Sequence, residues 1–150
     1  MRIIKEISIA APHKHVWDLI DDDEARKLWI PDLVATTYPA GRPKSDPTGT
    51  RFRETLREGA SIRSYAGEVA AHVEGRLRAV RLADEHISMD IEYRLSRGST
   101  ATSVRFAGTF RLAGLPPGSA MMGAARPVIE ARITAGLERL KAVAEAARQG

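Results

Sequence analysis

No cysteine occurs among the 150 residues. That excludes disulfides, thiolate catalysis and cysteine-ligated zinc, and it fits a reducing cytoplasm. Aromatic residues are scarce, at 5%, and neither an RRM signature nor zinc-finger spacing occurs. Both absences argue against a nucleic-acid partner, although the formal charge is +4 and the pI is near 9.8. No stretch approaches the roughly 18 uninterrupted apolar residues of a membrane span. The opening Met1-Arg2-Ile3-Ile4-Lys5-Glu6 meets charge before an apolar run can build, so no secretory signal is expected. His-Glu-x-x-His, Gly-x-Ser-x-Gly and Gly-x-x-x-x-Gly-Lys are all missing, which speaks against metal, serine-hydrolase and nucleotide mechanisms; no cofactor and no metal is expected. His13 and His15 are two apart at the start of a helix, whereas shared helical ligands prefer spacings of three or four. His72 and His86 fall at strand ends.

What is present reads as one domain spanning 1–150, with 43% hydrophobic and 28% charged residues. The basic residues are placed like a solvated sheet face: Arg51, Arg53 and Arg57 share one parity opposite Phe52 and Leu56. Alternation predicts a strand over Arg2 to Ile9. Pro12 suits a helix start, and Val16, Leu19 and Ile20, with Trp17 beside them, give the first helix an apolar side. Asp21 or Asp22 can cap a second helix over Glu24 to Trp29, which Pro31 stops.

Period two then takes over. Strands are predicted at Leu33 to Tyr38, Thr50 to Arg57, Ile62 to Val73, Leu77 to Leu82, Ile87 to Leu95 and Thr102 to Leu112. Between them lie a Pro/Gly/Ser loop over 40–49 and short turns at Glu58-Gly59, Glu74-Gly75, Asp84-Glu85 and Arg97-Gly98-Ser99, the signature of an antiparallel meander. The stretch 114–118 ends the sheet. A last helix runs from about Pro127 to Ala147, or from one or two turns earlier with a kink at Pro127. Its stripe of Ile129, Ile133, Leu137 and Leu140 faces inward.

The order β-α-α, six strands and a long helix resembles the START-related, Bet v 1-like (SRPBCC) superfamily, and within it the bacterial polyketide cyclase/dehydrase and lipid-transport family. The stretches that carry the likeness are Ile7-Ser8-Ile9-Ala10-Ala11-Pro12 with Val16-Trp17, then Gly49-Thr50-Arg51-Phe52, and Gly136-Leu137-Glu138-Arg139-Leu140-Lys141 in the last helix. The resemblance implies an α+β helix-grip fold: a curved seven-stranded antiparallel sheet around the C-terminal helix, enclosing a mainly apolar cavity. Members bind or transport ligands, cyclise or dehydrate polyketides, or interact with proteins, and fold alone does not choose among these.

In such a grip one parity of each strand faces the cavity. Apolar parity places Phe52, Glu54 and Leu56 there, with Tyr65, Gly67, Val69 and Ala71; Ile87, Met89, Ile91 and Tyr93; and Val104, Phe106, Gly108 and Phe110. Glu54 is the anomaly. A buried carboxylate would have a raised pKa and could act as acid or base on a polyketide-like substrate, with Tyr65 and Tyr93 as further candidates; the plainer reading pairs Glu54 with an arginine or lets it reach water. Arg63 and Arg81 fall on the inward parity too. Trp29 is expected near the entrance, Trp17 in the core, and Met121 and Met122 ahead of the last helix as either gate or filler. The expected ligand-lining set is therefore Trp29, Phe52, Glu54, Tyr65, Val69, Met89, Tyr93, Phe106, Phe110, Met121, Met122, Ile129 and Ile133. Gly136, in the same stripe, removes bulk and makes room for a ligand or for a sheet residue such as Phe106. The first functional reading is a cytoplasmic module, monomer or homodimer, that binds a hydrophobic or amphipathic small molecule. The alternatives are a cyclase or dehydratase and an interaction protein of the Hsp90-activator type.

Overall fold

The computed structural model describes residues 1–30, 32–116 and 118–149, with side chains through 146. Strand β1 (Arg2–Ile9) leads into α1 (His13–Asp21) and α2 (Asp23–Arg26). Strands β2 (Leu33–Thr37), β3 (Arg51–Glu58), β4 (Ser61–Val73), β5 (Leu77–Ala83), β6 (Ile87–Arg97) and β7 (Thr102–Leu112) follow, and α3 (Ala120–Gln149) closes the chain. The strands form one antiparallel sheet in the order β1-β7-β6-β5-β4-β3-β2, so β1 crosses over to pair with β7 while the rest meander. The predicted α+β helix-grip architecture is the one observed.

Local chemistry accounts for the element ends. The Asp22 carboxylate accepts the Ala25 N–H at 2.9 Å and caps α2. That helix is shorter than the predicted span to Trp29: residues 27–29 continue as tight turns bonded three residues back. The proposed stop at Pro31 lies outside the described residues. Helix α3 begins two turns before Pro127, the earlier of the two anticipated starts, and Pro127 lies inside it. Gly59 and Gly75 take φ of +61° and +76° in the β3–β4 and β4–β5 turns, a region that favours glycine.

The core sits between the sheet and the helices. Ile3 and Ile9 of β1, Val104 of β7, Val16 and Ile20 of α1, and Leu140 and Ala144 of α3 are almost fully buried in one cluster. A second cluster gathers Phe52, Tyr65, Val69, Val80 and Leu82. Trp17 joins the first, as expected, and its indole N–H donates to Glu74 at 2.9 Å. Among the described residues no helix is long and apolar enough to cross a membrane.

Two parity expectations fail. The β4–β5 register shifts between Val69 and Ala71, and an extra residue reverses which side chains face inward beyond it. His72 rather than Ala71 therefore turns in, opposite Arg78. Its side chain is only 7% exposed and its Nε2 meets Asp21 Oδ1 at 3.0 Å. Arg81 points outward, where its guanidinium pairs with Asp90 at 3.2 Å; the inward members of β5 are Arg78, Val80 and Leu82.

Candidate functional site: a cavity under the C-terminal helix

Between sheet and α3 lies a cavity of 790 Å3. Its floor is the inward parity of the strands, notably Val80, Leu82, Met89, Ile91, Phe106 and Phe110, and its roof is Ile129, Ile133, Gly136 and Leu137 of α3. Phenylalanine rings are folded onto the sheet where glycine leaves space. A Cβ at Gly108 would fall 2.7 Å from the Phe110 ring and 2.9 Å from that of Phe106, and a Cβ at Gly67 would collide with Phe52. The Phe106 and Phe110 rings flatten against the sheet and leave the cavity open above them. At Gly136 the roof does the same from the other side: a Cβ there meets nothing within 4 Å, so neither Phe106 nor any other sheet residue fills the gap.

Four polar side chains meet the inner part of the cavity: Arg26 of α2, Glu54 of β3, Arg78 of β5 and Tyr93 of β6. Arg26, Glu54 and Arg78 are 7%, 4% and 4% exposed, so they need charge partners. Arg26 Nη2 lies 2.6 Å from Glu54 Oε1. The contact is an ion pair rather than an aligned hydrogen bond, since Glu54 Oε1 and Arg26 Nε both lack a hydrogen-bond partner. Burial works against the Arg26 cation, but Glu54, Tyr93 and Asp23 together outweigh it and hold the group above its ordinary value. Arg78 Nη1 donates to the Ile20 carbonyl at 2.9 Å, which ties the sheet to the end of α1. Burial, together with the nearby Arg26 charge, holds Arg78 down to about 10. Burial pushes the Tyr93 phenol up, so it is neutral at pH 7. The Tyr93 ring is held edge-on between Trp29 and Phe106.

Behind this cluster Asp23 stands among three guanidiniums, 3.7 Å from Arg26, 3.5 Å from Arg42 and 3.9 Å from Arg78. A second polar group lies at the far end of the cavity. Tyr65 donates to Glu58 at 3.1 Å, and Arg63 bridges Glu58 and Asp84 at 3.1 and 2.8 Å. Burial and the Glu58 bond push Tyr65 up to about 12. Its hydroxyl is thus a neutral donor that is already engaged.

Of the expected lining residues, Trp29, Glu54, Tyr65, Met89, Tyr93, Phe106, Phe110, Ile129 and Ile133 do border this one space. Phe52 and Val69 do not border it; they are buried beside Tyr65, Val80 and Leu82 in the second core cluster. Met121 and Met122 stand in the first turn of α3, not ahead of it, the former 65% exposed and the latter buried, and neither borders the cavity. Trp29 is a fixed wall element rather than a cap at the entrance: it is 2% exposed and its indole N–H donates to the Leu19 carbonyl at 2.6 Å.

Sequence reasoning missed Arg26 and Arg78. Both left a signal, since Arg26 shares a helical face with Trp29 and Ile30 three and four residues on, and Arg78 shares strand parity with Val80 and Leu82. Asp21, His72 and Glu74 bring three potential metal-ligand atoms within 4.8 Å of one another. They already have partners: Asp21 pairs with Arg42 at 2.9 Å and with His72, and Glu74 accepts from Trp17. This trio reads as a structural tie between α1 and β4.

Comparison with known proteins agrees with this architecture. The chain is similar to Ara h 8.0201 (TM-score 0.75, 13% identity, 97% of this chain and 98% of the other). It is likewise similar to the Zhui aromatase/cyclase from Streptomyces sp. R1128 (TM-score 0.74, 16% identity, 97% and 93%). A START superfamily protein from Mycobacterium smegmatis aligns with TM-score 0.73 at 14% identity over 97% of each chain. At such identities the likeness is one of fold. No curated protein matches the sequence. The family described as polyketide cyclase / dehydrase and lipid transport matches residues 2–145, and the chain belongs to that family.

Proposed function

We propose that the protein binds a hydrophobic or amphipathic small molecule in the cavity between sheet and α3. The observation that carries this reading is the 790 Å3 space with apolar floor and roof and a few buried polar groups at its inner part. That combination is typical of ligand pockets, where apolar area supplies affinity and sparse polar groups set orientation. An open cavity also counts against the Hsp90-activator-type reading, for which a collapsed interior with an exposed apolar patch would be expected. The lack of cysteine fits action in a reducing cytoplasm. Native mass spectrometry of the protein as purified, followed by titration of the emptied protein with N-phenyl-1-naphthylamine, tests the proposal. Retained small-molecule mass or saturable one-to-one uptake of the probe is expected. An empty protein that takes up no probe overturns it.

A cyclase or dehydratase is the second reading. It is favoured by Glu54, Tyr65 and Tyr93 bordering one cavity and by the similarity to an aromatase/cyclase. It is second because Glu54 is paired with Arg26 and the Tyr65 hydroxyl with Glu58, which leaves Tyr93 as the uncommitted group of the three. Turnover of a polyketide-like substrate that vanishes in Glu54→Gln would move it to first place.

A further inference from the structure

Every buried charge at the inner part of the cavity has an opposite charge at bonding distance except one. Glu54 is met by Arg26 at 2.6 Å. Arg78 is 4% exposed, and its nearest carboxylate, Asp23 Oδ1, stands 3.9 Å away on the side turned from the cavity, shared with Arg26 and Arg42. The hydrogen bond of Arg78 to Ile20 O fixes its guanidinium but brings no charge. Donors are in excess at the same place. Arg26 Nε is buried without a partner, and no hydrogen bond of the Tyr93 hydroxyl or of the remaining Arg78 N–H groups occurs among the described residues. A buried guanidinium whose nearest carboxylate stands 3.9 Å off is only partly compensated; burial and the Arg26 charge hold Arg78 down to about 10 although Glu54 and Asp23 act to raise it.

We infer that the ligand enters head first and carries one anionic acid group, a carboxylate or its equivalent, which sits on Arg78 with the Tyr93 hydroxyl donating to it, while its apolar body lies between Met89, Phe106 and Ile133. This inference rests on the cavity being the binding site and adds the chemistry and orientation of what fills it. An anion supplies both missing elements, acceptor oxygens and negative charge, and a charge-assisted bond is roughly twice as strong as a neutral one. A neutral carbonyl supplies only the first. Glu54 does not repel the head, because Arg26 neutralises it at contact distance.

The test compares three probes with a common tail, dodecanoic acid, methyl dodecanoate and dodecan-1-ol, competing against N-phenyl-1-naphthylamine at pH 7.5. The acid should bind about tenfold or more tightly than the ester and the alcohol. In Arg78→Met the acid should lose that advantage while ester and alcohol bind as before, and Tyr93→Phe should reduce it about threefold. Equal binding of acid and ester, or an advantage that survives Arg78→Met, overturns the inference and leaves the cavity reading standing. Failure of all three to displace the bound probe overturns the inference alone, and failure of the probe itself to bind overturns both. Carboxyl-13C dodecanoic acid bound to the unaltered protein gives an answer independent of the variants' folding. A head on Arg78 stays ionised below the usual carboxylate range of about 4–5, whereas a head in solvent titrates within it.

Discussion

Along α3 one helix meets one sheet in two different ways. Toward its C-terminal end Leu140 and Ala144 are fully buried against Ile3, Ile9, Val16 and Val104, and α1 supplies the side chains that complete the packing. Toward its N-terminal half Ile129, Ile133 and Gly136 stand over Met89, Phe106 and Phe110 with 790 Å3 between them. Both halves carry the same apolar spacing. The difference is what reaches across: at the filled end a second helix inserts, whereas at the hollow end the facing Phe106 and Phe110 rings lie flat over Gly108 and the roof has a glycine. Hydrophobic patterning therefore reports which way a side chain points, not whether anything meets it there.

Substitutions at the two ends can break or sharpen that contrast. The largest effect is expected where the hollow end holds charge. Arg26→Met strands Glu54 in a buried site and should destabilise the fold by about 3–5 kcal/mol in urea unfolding, while the double variant Arg26→Met/Glu54→Leu should recover much of it. Next, Leu140→Ala at the filled end should cost about 2–5 kcal/mol, against about 1 kcal/mol or less for Ile133→Ala, whose side chain already borders empty space. Equal losses would mean that the two ends are packed alike. A Cβ at Gly136 meets nothing within 4 Å, so Gly136→Phe directs a ring into the open volume. It should leave the unfolding midpoint within about 1 kcal/mol of the parent and abolish probe uptake.

The smallest effect lies at the outer end. Although burial works to raise it, Asp84 is held below its ordinary value of 3.8 by the N–H groups of His86 and Ile87 and by Arg63. A carboxyl depressed in the folded state contributes stability above its unfolded value and loses it as pH falls through the folded one. Asp84→Asn should therefore flatten the loss of stability below about pH 4, while an unchanged acid slope would show that Asp84 is not the group responsible.

Much of this was legible in the chain. The β3 stretch Phe52-Arg53-Glu54-Thr55-Leu56 alternates cleanly, and Glu54 was placed inward because its parity mates are apolar. Its partner was not legible, because Arg26 lies 28 residues away and no local pattern links the two, although Arg26 itself falls at helical spacing from Trp29 and Ile30. Arg78 and Arg81 were confused because both parities of β5 mix arginine with apolar residues. Parity puts Ala71 inward instead of His72 because a bulge after Val69 reverses every side chain beyond it. Flexible thioethers flanked by glycines point Met121 and Met122 to the cavity, and only the path of α3 shows them beyond its edge.

By itself the sequence determined the element order, the antiparallel meander, the inward stripe of the last helix and the family, since each follows from local periodicity, turn chemistry and contiguous motifs. Tertiary structure alone decided where the grip is hollow, which arginine neutralises Glu54 and which one faces the cavity without an anion at bonding distance. Those facts depend on distances between residues far apart in the chain, where sub-ångström placement sets whether a charge is paired or left waiting for a ligand.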